Sequence, residues 1–179
     1  EQYPEFESKD IQWRPNVPEE RRVELDQKVR GYYAQVKNRD DNIGRILAAL
    51  GENGQLENTF VFYLSDHGEF MGSHDRMFKR SPLEESAQVP LLVRTPASLG
   101  TGARPGRVSR AYFGLVDLMP TTLGLCGIQV PPCCDGENLA PLVLGLADDG
   151  PEELLIQFER DGFFDRTNPA GFWRALLRD

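Results

Sequence analysis

Thr59 to Ser65 reads Thr-Phe-Val-Phe-Tyr-Leu-Ser and runs directly into Asp66-His67-Gly68. The stretch is β-branched and aromatic, and it is apolar on both alternations. That pattern predicts a strand buried on both faces, as in a parallel sheet. Upstream, Val36, Ile43, Ile46, Leu47 and Leu50 form an apolar stripe at helical spacing. They predict a helix that starts near Pro18 to Glu20, with acids in its first turn to suit the dipole. It bends near Gly31, runs to about Leu50 and is ended by Gly51 and Gly54. Asp40 falls on the stripe. An acid there is either hydrogen-bonded inside a core or aimed into a cleft, and the structural role is the expected one. Helix, loop and buried strand make half of an α/β unit.

Working outward, residues 1–20 are polar and rich in proline and acid, an extended lead-in. Val89 to Arg94 is a second short strand, with Pro90 at its start or on an edge. Gly100 to Arg107 is a loop, and Val108 to Tyr112 a short strand or a connection. Val116 to Gly124 suits a short helix that Asp117 could cap. Pro131 to Gly136 is turn-rich, Leu139 to Leu144 a further short helix, and Pro151 to Phe158 leads into a strand.

The chain of 179 residues carries 20 lysines and arginines against 28 aspartates and glutamates, a net charge of −8. With 40% apolar and 27% charged residues it is a globular composition, not a disordered, collagenous or coiled-coil one. No basic excess exists to neutralise phosphates, which argues against a general nucleic-acid binder, whereas an anionic small substrate needs only a local cationic pocket. The densest apolar run, Phe60 to Leu64, is far short of the roughly 20 residues that span a bilayer, so no membrane segment is expected. Cys126, Cys133 and Cys134 make no disulfide framework, because an odd count cannot fully pair and neighbours bridge only with strain.

Both histidines, His67 and His74, fall in one stretch, Ser65 to Ser86. Asp66 and His67 follow the strand directly, and in open parallel sheets ligands bind beyond the carboxyl ends of strands. A carboxylate and an imidazole are a usable metal pair, though two ligands alone do not hold a catalytic metal. The alternative is an Asp capping a turn beside an ordinary histidine. Gly68 lets the backbone turn sharply away from both. Lys79, between Phe78 and Arg80, could neutralise an anionic oxygen, or could be a solvated lysine lying over its apolar neighbours. Arg76 and Arg80 could do the same or be surface charge. Glu84 and Glu85 are expected to cap or to form ion pairs locally.

These residues carry a resemblance. SDHGEFMGSH (65–74), MFKR (77–80) and LEESAQVPLLVR (83–94) resemble the metal-site segment of the sulfatases, within the alkaline phosphatase superfamily. The helix YYAQVKNRDDNIGRILAAL (32–50) and the later VDLMPTTLGLCGIQVP (116–131) and GENLAPLVLG (136–145) resemble the family's flanking segments. The resemblance implies a partial alkaline-phosphatase-like sandwich, a mostly parallel or mixed sheet with helices on both faces. It implies Asp66 and His67 as ligands of a divalent metal, Ca2+ in sulfatases and Mn2+ or Zn2+ in related phosphatases and phosphonate hydrolases. Lys79 matches a lysine that contacts the sulfate or phosphate group. His74 matches a family position with a pocket-wall role, a helix or loop cap being the alternative. The substrate class implied is a small-molecule or carbohydrate sulfate ester.

The departures are equally specific. The family's nucleophile is a formylglycine made from the first residue of a Cys/Ser-x-Pro-x-Arg motif, and no such motif occurs in the sequence. No catalytic nucleophile is therefore assigned within the chain, and the missing N-terminal half of the same domain is its expected partner. Residues 1–150 are expected to be the C-terminal portion of a catalytic domain. Residues 151–179 then lead into a truncated C-terminal subdomain, whose FWRALLRD (172–179) resembles the start of a family hairpin. Alone, such a fragment is expected to be inactive and aggregation-prone. Two other readings compete: a phosphate ester or phosphonate hydrolase of the same superfamily, and a non-catalytic metal-binding or interaction module.

Overall fold

The computed structural model of the protein describes residues 11–99, 106–159 and 172–178. Most of the expected loop at Gly100 to Arg107 lies outside the described residues. The elements follow in the order α1 (Arg22–Glu52), β1 (Val61–Leu64), α2 (Glu84–Ala87), β2 (Leu91–Arg94), α3 (Leu118–Leu125), α4 (Ala140–Val143), β3 (Glu153–Glu159) and β4 (Phe172–Arg178). The chain divides into two compact units, residues 1–59 with 67–89, and residues 60–66 with 90–179.

The first unit is built on α1. A 3-10 turn, Glu19–Arg21, leads into it and places Glu19 and Glu20 at the positive end of the dipole. The ion pairs Arg30–Asp26 (2.8 Å) and Lys28–Glu24 (3.4 Å), together with Lys37–Asp41, lie one turn apart along it. Exposed pairs of this kind contribute a few tenths of a kcal/mol each. The expected bend at Gly31 is absent, since the helix runs through it unbroken. Gly31 meets no neighbour within 4 Å, so nothing presses the backbone to bend there. The helix ends on Asn53, with Gly54 at φ 67° and the Gln55 N–H returning to the Leu50 carbonyl at 2.8 Å. Gly54 is thus the terminating glycine, while Gly51 is still helical.

Only the N-terminal part of α1 finds a full partner. Leu25 (0% exposed) and Val29 pack with Val17, and Ile11, Trp13, Met71 and Met77 close the cluster. Further along, Ile43, Leu47 and Leu50 are half-buried, and Val36 and Ile46 are exposed. Among the described residues nothing covers that part of the stripe fully. Asp40 stands exposed on the helix surface.

In the second unit β1 and β2 pair antiparallel, in the register Val61↔Arg94 to Leu64↔Leu91. β1 is not buried on both faces. Tyr63 and its partner Leu92 are exposed, while Val61, Phe62 and Leu64 are half-buried. Among the described residues β1 also has a strand on one edge only. The pair is compatible with a mixed sheet, and no parallel pairing occurs among the described residues.

The same unit is organised by two buried polar side chains. The Asp117 carboxylate accepts the Gly114 N–H at 2.8 Å, capping the turn before α3, and also the Glu137 N–H at 2.8 Å. Thr121, 0% exposed, accepts the Leu139 N–H at 3.0 Å and donates to the Glu137 carbonyl at 3.3 Å. Gly136 is required for the close approach, because a Cβ there would lie 2.2 Å from the Val116 carbonyl oxygen. The Arg107 guanidinium donates to the Leu142 and Ala147 carbonyls, both at 2.9 Å, and closes the end of α4. β3 and β4 form an antiparallel hairpin in which Phe158 stacks on its cross-strand partner Trp173, with ring centroids 6.0 Å apart. No disulfide forms among the described residues; Cys126 and Cys133 are exposed. Among the described residues no helix is long and apolar enough to cross a membrane.

The burial contrast along the first turns of α1 gives a direct test. Leu25→Ala is expected to lower the urea-unfolding free energy by about 2–5 kcal/mol through the cavity it leaves. Val23→Ala, at a position 89% exposed, is expected to change it by less than about 0.5 kcal/mol.

Candidate metal and anion site

The site-bearing segment begins where β1 ends. Ser65 is half-buried, Asp66 exposed, His67 half-buried and Phe70 buried. Gly68 is held against α2, its N–H donating to the Ser86 carbonyl at 2.9 Å. A Cβ at Gly68 would lie 2.1 Å from the Glu85 carbonyl oxygen. Its role is therefore a close approach of two backbones, not the left-handed turn that the sequence suggests, and Gly68 is absent from the positive-φ glycines.

His67 is oriented through both ring nitrogens. Nδ1 lies 2.9 Å from the Gly68 carbonyl oxygen. A carbonyl only accepts, so this bond assigns the proton to Nδ1 and leaves a lone pair on Nε2. Lys79 Nζ stands 2.6 Å from that Nε2. The Nε2 lone pair thus accepts from the Lys79 ammonium, and the exposed Asp66 precedes His67 directly in the chain. An imidazole nitrogen and a carboxylate are donors of the kind a divalent metal takes. The residues fit a share of such a site: among the described residues no third His, Cys, Asp or Glu completes a group.

The loop between His67 and α2 is held in an unusual backbone. Met71, His74, Asp75, Phe78 and Arg80 all have left-handed φ, from 47° to 79°. Each such residue costs about 1–2 kcal/mol relative to an ordinary conformation. Hydrogen bonds over-determine the path. The Phe70 N–H reaches the Phe78 carbonyl at 2.9 Å, and the Gly72 N–H reaches the Arg76 carbonyl at 2.8 Å. The Arg80 and Ser81 N–H groups converge on Ser86 Oγ, at 3.1 and 3.4 Å. Glu69 Oε1 accepts the N–H of Phe78, and that of Met71 at 3.4 Å. Gly72, at φ 94°, packs so tightly on Leu25 that a Cβ would lie 2.3 Å from its Cδ1.

His74 takes no part in the His67–Lys79 pair and belongs to a second cluster. Its Nε2 lies 3.1 Å from Asn16 Nδ2 and 3.4 Å from Glu85 Oε1. Asn16 Nδ2 also donates to that same Glu85 oxygen at 3.1 Å, and Arg14 approaches it at 3.3 Å. The Glu85 side chain is only 8% exposed. Arg21 pairs with Asp75 at the same edge. Glu85 therefore does not pair locally, as the sequence suggests. It ties the loop to the segment before α1, and neither Arg14 nor Asn16 carries any pattern in the sequence that marks them for this.

Glu85 is held below its ordinary carboxylate pKa, first by a hydrogen bond from its own backbone. Burial opposes this, and Asn16, His74 and Arg14 add to it. A depressed carboxyl stabilises the folded state above its unfolded pKa, and that stabilisation is lost as pH falls through the folded value.

In the chain, Asp66 and His67 follow β1 directly, and Lys79 stands against the imidazole. The sulfatase family model matches residues 1–128, and the chain belongs to the sulfatase family. It is 39% identical over 112 residues to an arylsulfatase of Clostridium perfringens, an alignment covering 63% of this chain and 23% of that protein. A solved structure described as BT4656 in complex with its substrate D-glucosamine-2-N,6-O-disulfate superposes with a TM-score of 0.71 at 32% identity. That match covers 79% of this chain and 28% of the other. The phosphonate monoester hydrolase of Silicibacter pomeroyi superposes with a TM-score of 0.73 at 28% identity, covering 87% of this chain and 31% of that one. The chain spans about a quarter of the length of the curated relatives it matches.

Two measurements test the clamp. Gly68→Ala is expected to cost about 1–3 kcal/mol in urea unfolding, because the backbones at Gly68 and Glu85 must separate. Wild-type stability is expected to fall between about pH 5 and about pH 3 as carboxylates protonate, with a shallower fall in Glu85→Gln. Identical pH slopes for the two proteins would show that Glu85 carries none of it.

Proposed function

We propose that this chain is part of a metal-dependent sulfuric ester hydrolase that cleaves sulfate monoesters, and that its nucleophile lies outside the 179 residues. Residues 1–150 are read as the C-terminal portion of the catalytic domain and 151–179 as the approach to a C-terminal subdomain. The observation that carries the reading is the His67–Lys79 pair at 2.6 Å, immediately after the exposed Asp66. Asp66 and His67 would hold the metal, with Ca2+ the expected ion and Mn2+ or Zn2+ the expected ions for a phosphate ester. When bound, the metal supplies electrostatic stabilisation of the negative charge that develops on the ester oxygens and the nucleophile.

The chain's own residues have separable tasks. His67 is turned by the Gly68 carbonyl so that Nε2 offers its lone pair. Asp66 adds a carboxylate that offsets the positive charge of a bound metal. Lys79 brings an ammonium to the place where a non-bridging oxygen of the ester needs a counter-charge. His74 and Glu85 hold the loop on which Lys79 sits. The formylglycine hydroxyl expected of the family would come from a Cys/Ser-x-Pro-x-Arg segment elsewhere in the protein.

A phosphonate or phosphate ester is the second reading, supported by the similarity to the Silicibacter pomeroyi phosphonate hydrolase. The carbohydrate disulfate bound in the BT4656 structure supports a sulfated sugar as one form of the substrate.

The test is kinetic. The purified 179-residue chain is expected to turn over neither an aryl sulfate nor an aryl phosphonate, and turnover by it would overturn the external nucleophile. In a longer enzyme that joins this chain to a segment with the Cys/Ser-x-Pro-x-Arg motif, Asp66→Ala, His67→Ala and Lys79→Ala are each expected to lower kcat/KM by about 10²–10³. A preference for the phosphonate over the sulfate would decide for the second reading.

A further inference from the structure

We infer that Glu69 is the positioning residue that sets the Lys79 ammonium against His67. The inference rests on the reading of Lys79 as the contact for the ester's anionic group. Four observations meet at this point. Glu69 Oε1 accepts the backbone N–H of Phe78, the residue immediately before Lys79. The same oxygen accepts the Met71 N–H at 3.4 Å, so one carboxylate ties both sides of the loop. The carbonyl of Phe78 is fixed independently by the Phe70 N–H at 2.9 Å. Phe78 itself has φ 70° and a side chain 69% exposed, so neither its own preference nor apolar burial holds it there.

The peptide groups on both sides of Phe78 are therefore clamped in a conformation the residue would not choose. The clamp fixes where the Lys79 stem leaves the backbone. A long four-carbon side chain reaches one acceptor reproducibly only when its root is fixed, because its rotamers otherwise spread the ammonium over a wide volume. Glu69 is two residues from His67, so the acceptor for Phe78 and the partner of Lys79 ride on the same short piece of chain. Gly68, between them, is pinned to α2 at 2.9 Å. Imidazole and ammonium are thereby referenced to one fixed point.

The test reads Lys79 directly and needs no turnover. The whole 179-residue chain at micromolar concentration is treated with limiting N-hydroxysuccinimidyl acetate, and acetylation is followed by peptide mass spectrometry, with Lys28 of α1 as the internal reference. In Glu69→Ala the Lys79 rate, relative to Lys28, is expected to rise several-fold. Glu69→Gln keeps the accepting Oε1 and is expected to retain the wild-type rate. A Glu69→Ala rate equal to wild type overturns the assignment, and so does a Glu69→Gln rate as high as that of Glu69→Ala. Hydrogen exchange of the wild-type chain decides the matter if Glu69→Ala loses its helical circular dichroism. The Phe78 amide is then expected to be protected, and unprotected exchange overturns the clamp. A chain that passes these tests while the longer enzyme fails to cleave sulfate esters would refute the proposed function and leave the role of Glu69 intact.

Discussion

The approach of the Gly68 backbone to the Glu85 carbonyl is the constraint on which the site segment depends. The 2.1 Å available to a Cβ there leaves room for no side chain at all. Because the two backbones touch, the residues on either side are placed by the main chain rather than by their own packing. His67 and Glu69 are set at one end of the contact, and Glu85 and Ser86 at the other. Ser86 Oγ then collects the Arg80 and Ser81 amides, while Glu85 collects Arg14, Asn16 and His74. A segment with five non-glycine residues in left-handed backbone has little intrinsic preference for its path. It is held by hydrogen bonds that radiate from this one contact.

The two histidines show how similar side chains are given different work by their surroundings. His67 has a carbonyl at Nδ1, which fixes its tautomer and leaves Nε2 facing a lysine. His74 has an amide and a carboxylate at Nε2, and its ring stands edge-on to Phe70 with centroids 6.4 Å apart. The first environment sets the imidazole against the Lys79 ammonium. The second ties a loop to the chain segment ahead of α1. Proximity in sequence, seven residues, says nothing of this division of labour.

What the sequence made legible follows from what is local. Helical spacing located α1, a β-branched and aromatic run located β1, and short apolar runs located β2 and β3. Asp117 before an apolar run suggested a cap for α3, but its carboxylate makes no capping bond to that helix and accepts the Gly114 N–H of the turn before it instead. The family resemblance singled out Asp66, His67 and Lys79 as candidates, and the structure brings His67 and Lys79 together. Long-range partners were not legible. Nothing about Asn16 marks it for Glu85, 69 positions away. Glu85 looked like one of two acids at a short helix start, and its selection over Glu84 depends on which face α2 turns to the loop. The bend expected at Gly31 failed for a related reason: a glycine permits a bend, and only a neighbour can enforce one. β1 is less buried than its apolar run suggests, because apolarity reports what a strand can bury and not what the chain provides to cover it.

The same long spans bear on the order in which the molecule assembles. Contacts along α1 join residues three or four apart, whereas Arg21–Asp75, Asn16–His74 and Asn16–Glu85 close loops of 54, 58 and 69 residues. Closing a loop of that size costs chain entropy before any bond repays it, and topologies rich in such contacts fold slowly. The helix can form on its own schedule, and during synthesis it leaves the ribosome before the loop does. The strained segment from Met71 to Arg80 then meets a finished template in Val17, Leu25 and Asn16. Chain order thus works as a timing device, in which the part of the molecule least able to choose its own conformation is made after the surface that chooses it.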